Sequence, residues 1–297
     1  MNVLPEHRSK LPYFYPRKFG DGTLTVLSDG PLDLGDPRES FLGQSPEIIT
    51  QMLRDNFLPE DNVVLEQNIP LFDINGMTIL FDTGMGDSKM FGPNTGRLLT
   101  SLEEAGRSAE EVDAVVLSHA HIDHAGGVAD AEGRLAFPNA DIYISERDFG
   151  DWTDGSSIPD SFSGQIAMAR RNLLPHKERT FFFKDGESFL PGVQAMSTPG
   201  HTLGHMSFLI ESEGDTICFM GDLTHHSVLL LERPMMQFKY DADPELSARS
   251  RTRTLDMLAK DGIQVMSYHF SWPGVGHVVA EGKGFRYLPA PMQLLKD

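Results

Sequence analysis

Residues 114–127 read Ala-Val-Val-Leu-Ser-His-Ala-His-Ile-Asp-His-Ala-Gly-Gly. The first four form the kind of short apolar run that makes a buried strand, and polar chemistry begins where it ends, at Ser118. Three of the chain's eleven histidines, His119, His121 and His124, fall with Asp123 inside six residues. On an extended segment His119 and His121 project to one side, while Asp123 and His124 follow on the turn and can face a second ion. Gathering that many titratable groups after an apolar strand is costly unless a cation repays it, and neutral imidazole with carboxylate is the usual donor set where thiolates are absent. Thiolates are indeed scarce: Cys218 is the single cysteine, which also rules out an intrachain disulfide. Lying on an apolar run, it reads as an inert buried thiol.

Working outward, Met77–Asp82 is an apolar run that ends in the turn Thr83-Gly84-Met85-Gly86. Leu98, Leu99, Leu102 and Ala105 recur at helical spacing, with Gly106 as the stop, and Ser108 with Glu111 has the form of a capping box. Strand, helix, strand is an α/β pattern. Further β-type runs stand at 141–145, 193–197, 206–212, 216–220 and 263–268. Pro244 opens a helix whose Leu246, Leu255 and Leu258 share a face and which Gly262 closes. Residues 150–180 and 223–243 read as loops or helical insertions covering a site. The triplet Phe181–Phe183 reads as core or interface.

With 297 residues, 40% hydrophobic and 23% charged, the composition is that of an ordinary globular protein. The net charge of −18 repels phosphate backbones and anionic lipid surfaces, so neither nucleic acid nor a membrane is an expected partner. Pro5, Glu6 and Arg8 interrupt any leader-like apolar segment, which gives the expectation of a cytoplasmic protein. Residues 1–22, with Pro5, Pro12, Pro16 and four aromatics, read as an irregular arm ahead of one catalytic domain over 23–297.

The stretch Ser118–Gly127 resembles the signature of the metallo-β-lactamase superfamily of binuclear hydrolases. The other landmarks of that family occur in order: ILFDTG with Asp82, TPGHT with His201, FMGD with Asp222 and SYHF with His269. MFGPNTGRLL at 90–99, AFPNADIY at 136–143 and FSWPGVGHVVAEGKGFRYLP at 270–289 look like methyl parathion hydrolase and its lactone- and ester-cleaving relatives, over about residues 60–290. The resemblance implies a four-layer αββα sandwich and two divalent metal ions, zinc first, with Mn, Co or Fe as other ions such ligands accept. It puts His119, His121 and His201 on one ion, Asp123, His124 and His269 on the other, Asp222 between them, and Asp82 behind a ligand as its orienting carboxylate. It also implies a shared hydroxide attacking a lactone or aryl ester, with an organophosphate triester as the alternative substrate, and a homodimer.

Asp123, Asp222 and His225 are the expected catalytic residues. His225, three residues past Asp222, stands where acyl-homoserine lactonases carry a Tyr that donates to the substrate carbonyl, a departure that argues against homoserine lactones as substrates. His225 or its neighbour His226 is expected to supply that hydrogen bond. The same resemblance puts Phe91, with Phe149 or Trp152, in an aromatic leaving-group pocket, and His226 is the other expected pocket residue. Among other superfamily activities, tRNA-processing nucleases need a basic surface and glyoxalase-type thioesterases a cationic clamp, neither of which is seen here. β-Lactamases usually lack the bridging Asp, and flavodiiron proteins carry Glu where this chain has His121. A non-catalytic module on a retained fold is disfavoured by the intact ligand set.

Overall fold

A computed structural model describes residues 13–156 and 158–293. Two seven-stranded sheets face each other. In the first, Phe14–Phe19, Gly22–Ser28, Asn68–Ile74 and Met77–Phe81 run antiparallel, then Met77–Phe81, Ala114–Val116, Asp141–Ser145 and Thr180–Phe183 run parallel. The second is antiparallel from Ser188–Leu190 to Gly284–Pro289, except where Asp215–Phe219 pairs parallel with Gln264–Met266. That parallel pair requires a crossover, supplied by the helix Pro244–Asp261. Asp243 caps its start by accepting from the Leu246 amide, and Gly262 closes it in the left-handed conformation.

Phe81 joins the sheets. Its ring lies 5.6 Å from Phe72 in its own sheet, and 5.4 Å from Phe208 and 5.6 Å from Phe219 in the other. Helices Leu98–Glu104, Glu146–Asp154 and Ser163–Leu173 accompany the first sheet, and Pro244–Asp261 lies on the second, giving the αββα sandwich. No helix among the described residues is long and apolar enough to cross a membrane.

The expected irregular arm over residues 1–22 is corrected in its second half. Phe14–Phe19 is a strand in register with Gly22–Ser28, because Tyr15, Arg17 and Phe19 alternate inward in a pattern that the prolines obscured. Residues 1–12, the rest of that expected arm and of the dimer contact it suggested, lie outside the described residues. The segment 150–180 is helical as expected, and 223–243 holds the short helix Leu229–Glu232 and the strand Gln237–Phe238, which pairs with Phe41–Leu42. In the aromatic triplet Phe183 is buried in the core, while Phe181 and Phe182 are exposed.

Candidate metal centre

Each expected ligand sits just past the end of a strand. His119, His121, Asp123 and His124 follow Ala114–Val116, His201 follows Val193–Ser197, Asp222 follows Asp215–Phe219 and His269 follows Gln264–Met266. Irregular backbone at those ends lets side chains from both sheets converge. The donor atoms gather as His119/His121/His201 and as Asp123/His124/Asp222/His269, with His201, Asp222 and His225 forming a third overlapping group.

Asp222 is the centre of the cluster. Its carboxylate lies 3.0 Å from His225 Nε2, 3.1 Å from His201 Nε2, 3.2 Å from His124 Nε2, 3.2 Å from His269 Nε2 and 3.8 Å from His119 Nε2. Gly221 makes the approach feasible: its φ is +50°, and a Cβ there would stand 2.8 Å from His205 Nε2 and 2.9 Å from Ser118 Cβ.

Imidazole rings are aimed from behind by their other nitrogens. His124 Nδ1 donates to Asp82 Oδ2 at 2.7 Å, and Ser118 donates to the same carboxylate from its amide and its hydroxyl. Asp82 is fully buried and holds φ +63°, a strained conformation for a non-glycine residue that its three partners fix in place. His201 Nδ1 donates to Asp241 Oδ1 at 2.9 Å, and His269 Nδ1 to the Glu66 carbonyl at 2.8 Å. Such supports set the tautomer and direction of a metal-binding histidine.

Several residues here gave no metal signal in the sequence. Asp148 accepts from the amides of Ala120 and Gly204, tying the His119–His124 loop to the His201 loop. Arg251, fully buried in the long helix, donates to the carbonyls of Leu223, Pro234 and Met236 and to the Ser247 hydroxyl. Tyr268 donates to the Asp123 carbonyl at 2.5 Å. Asp148 and Asp241 carry no local motif; only the fold brings them to their partners.

The donor set fits divalent cations. Buried His119 Nε2, His124 Nε2 and Asp222 Oδ1 have no hydrogen-bond partner among the described residues, an expense that a Lewis acid between them removes. Burial, with His124 and other neighbouring imidazoles, holds His119 well below its ordinary value, and burial with His201 does the same for His121, so both are neutral as ligands must be. Burial opposes charge on His201, but hydrogen bonds to Asp222 and Asp241 outweigh it and raise it to about 9. Burial likewise opposes charge on His124, and the carboxylates of Asp222, Asp123 and Asp82 overcome it. Protons on these rings occupy the electrostatic role of a cation, so loading metal releases them.

A cavity opens onto this centre. His121, Asp123, His201, Asp222, His225 and His269 form its base, and Leu32, Leu34, Leu65, Phe91, Phe238 and Tyr240 its wall, with Gln165 at the side. Phe91, one of the expected pocket residues, is among the residues lining it. Phe149, Trp152 and His226 do not line this cavity. Phe149 and Trp152 are on the buried face of Glu146–Asp154, where Phe149 packs on Phe182 and Trp152 meets the His121 ring edge-on at 4.7 Å. Their helical spacing made them a core stripe, with Trp152 buttressing a ligand.

His225 stacks between Phe238 and His269, with ring centroids 4.0 and 5.2 Å away. His226 turns the other way, into a neighbouring cavity, where its Nδ1 accepts from the amides of Val228 and Leu229. Burial lowers His226 to about 4. The unfolded chain takes up that proton near 6.5 and the folded one only near 4, so stability is full above pH 6.5 and erodes as pH falls through that window. Urea unfolding should find His226→Gln less stable than wild type at pH 8, with the gap narrowing by up to about 3 kcal/mol on going to pH 4. A gap that stays constant or widens contradicts the buried neutral imidazole.

Comparison with known proteins agrees with this geometry. Residues 63–268 match the model of the metallo-beta-lactamase superfamily, and the chain belongs to that superfamily. The solved structure of AidC, a dizinc quorum-quenching lactonase in complex with a product N-hexanoyl-L-homoserine, superposes with a TM-score of 0.87 at 30% identity, covering 95% of this chain and 98% of that one. The hydrolase AbOPH of the beta lactamase superfamily gives 0.88 at 28% identity, covering 97% and 100%. An N-acyl homoserine lactonase of Bacillus cereus is 25% identical over 228 residues, 71% of this chain and 80% of that protein. The chain is a metal-dependent hydrolase with a site for two divalent ions, zinc foremost.

Proposed function

We propose that this chain hydrolyses neutral lactones or aryl esters, with the ring or aryl group held on the wall formed by Leu32, Leu34, Leu65, Phe91, Phe238 and Tyr240. The observation that carries this reading is the wall itself: it is apolar and aromatic, and none of the described residues lining the cavity is Lys or Arg. A substrate that kept a negative charge at the reacting group would need such a cation; a lactone or ester does not. The lactonase relatives support the same class.

Two divalent ions held by the seven ligands supply Lewis-acid polarisation and a water of lowered pKa. The chain does the rest. Asp222, in reach of five imidazoles, holds the two ligand groups together. Asp123, whose side chain is 13% exposed and lines the cavity, is the group that in this proposal takes the proton from the attacking water and passes it to the leaving alkoxide. A hydrogen bond to the carbonyl oxygen comes from a side chain lining the cavity. His225 supplies it in this proposal, and Tyr240 brings to the same cavity a phenol that the missing Tyr at position 225 did not foretell. That phenol brings N-acyl homoserine lactones back among the candidate substrates.

His225→Ala should lower kcat about 100-fold with little change in KM, and Tyr240→Phe about tenfold, whereas His226→Ala should leave both near wild type. Equal losses in His225→Ala and His226→Ala would remove His225 from this role.

A neutral phosphotriester fits the same wall and is the second reading. kcat/KM for an aromatic lactone and for a methyl aryl phosphotriester separates them. A lactone preference of a hundredfold, about 2.7 kcal/mol at the transition state, supports the first; a phosphotriester preference of that size supports the second.

A further inference from the structure

Far from the metal centre, the edge strand Phe14–Phe19 carries a positive charge on its inward face. Tyr15, Arg17 and Phe19 alternate toward the second sheet, and Arg17 is only 8% exposed. Its Nε has no hydrogen-bond partner, and the guanidinium has no ion pair among the described residues. Inward charges are one way of guarding an edge strand; here the side chain is largely buried, its Nε is cut off without a partner, and the guanidinium opens onto a groove where an anion can reach it.

Arg17 lies against a groove of about 370 Å³ between the edges of the two sheets. Gln264 and His277 add polar side chains, and Ala259, Leu288 and Pro289 give it an apolar flank. Neither His277 nor Gln264 has a side-chain hydrogen bond within the described residues, so their donors are available.

We propose that this groove binds a monocarboxylate with a short apolar tail. The guanidinium fork matches the two oxygens of a carboxylate. A single buried cation neutralises one negative charge, and the strongly acidic protein opposes a doubly charged ligand, which favours a carboxylate over a phosphate. The tail lies along Leu288, Pro289 and Ala259.

Titration calorimetry of the zinc-loaded protein with hexanoate, hexyl phosphate and hexylamine tests this. Hexanoate should bind saturably at a site whose affinity falls at least tenfold in Arg17→Met, while lactone turnover without hexanoate is unchanged. Hexyl phosphate should bind more weakly and hexylamine not at all. Leu288→Glu, at the exposed rim, should weaken hexanoate similarly and guards against an Arg17 variant that fails to fold. Hexanoate binding that is indifferent to Arg17 and Leu288 overturns the proposal.

Discussion

Asp222→Asn should lower kcat/KM for a lactone by on the order of 10³-fold or more, at least about 4 kcal/mol of transition-state stabilisation. Five imidazole nitrogens lie within 3.0–3.8 Å of this one carboxylate, and no other residue touches both ligand groups so widely. An amide keeps the shape but halves the oxygens, removes the charge and turns N–H groups toward nitrogens that need to coordinate. The fold should survive, because Asp222 lies past the strand Asp215–Phe219 rather than within the Phe81-centred core. Elemental analysis should find fewer than two metal ions per chain in the variant, with circular dichroism unchanged. Wild-type turnover in Asp222→Asn would show that catalysis does not depend on this carboxylate and would contradict its central role.

The second large effect is on stability. Arg251→Met should cost about 3–5 kcal/mol, because it leaves the carbonyls of Leu223, Pro234 and Met236 buried without a donor and Asp241 without the cation 3.5 Å away. Those carbonyls belong to the segment that carries His225, and Asp241 holds His201. Activity should therefore fall together with the urea midpoint, and zinc affinity should weaken about 10–100-fold. A stability loss below 1 kcal/mol would show that the helix does not clamp this segment.

The cluster His119, His121, Asp123 and His124 was legible because it is encoded locally, whereas His201, Asp222 and His269 were reached through the family resemblance. An apolar run ending in His or Asp is visible within ten residues, and the chemistry of neutral imidazole and carboxylate limits what such a cluster can be for. The β-type runs and the helix from Pro244 to Gly262 were legible through periodicity and capping, but the order of the strands was not: the layered sandwich came only through the family resemblance. What escaped notice depends on distance along the chain. The wall brings Leu32 and Leu34 beside Leu65 through a short antiparallel ribbon, then adds Phe238 and Tyr240 from beyond the metal motifs. No local pattern distinguishes these from ordinary core residues. Phe149 and Trp152, expected in the pocket through the family resemblance, lie instead on the buried face of their helix. His225 and His226, adjacent in sequence, differ in reach: His225 lines the metal-centre cavity as well as the neighbouring one, and His226 only the latter.

The most direct test is a zinc titration of metal-stripped protein, following hydrolysis of an aromatic lactone and bound metal in the same samples. Turnover should be absent at the start, rise with zinc and level off at two ions per chain, with Asp222→Asn showing no comparable rise. Full lactone turnover by the stripped protein, or a fully zinc-loaded protein that leaves lactones untouched, would contradict the account.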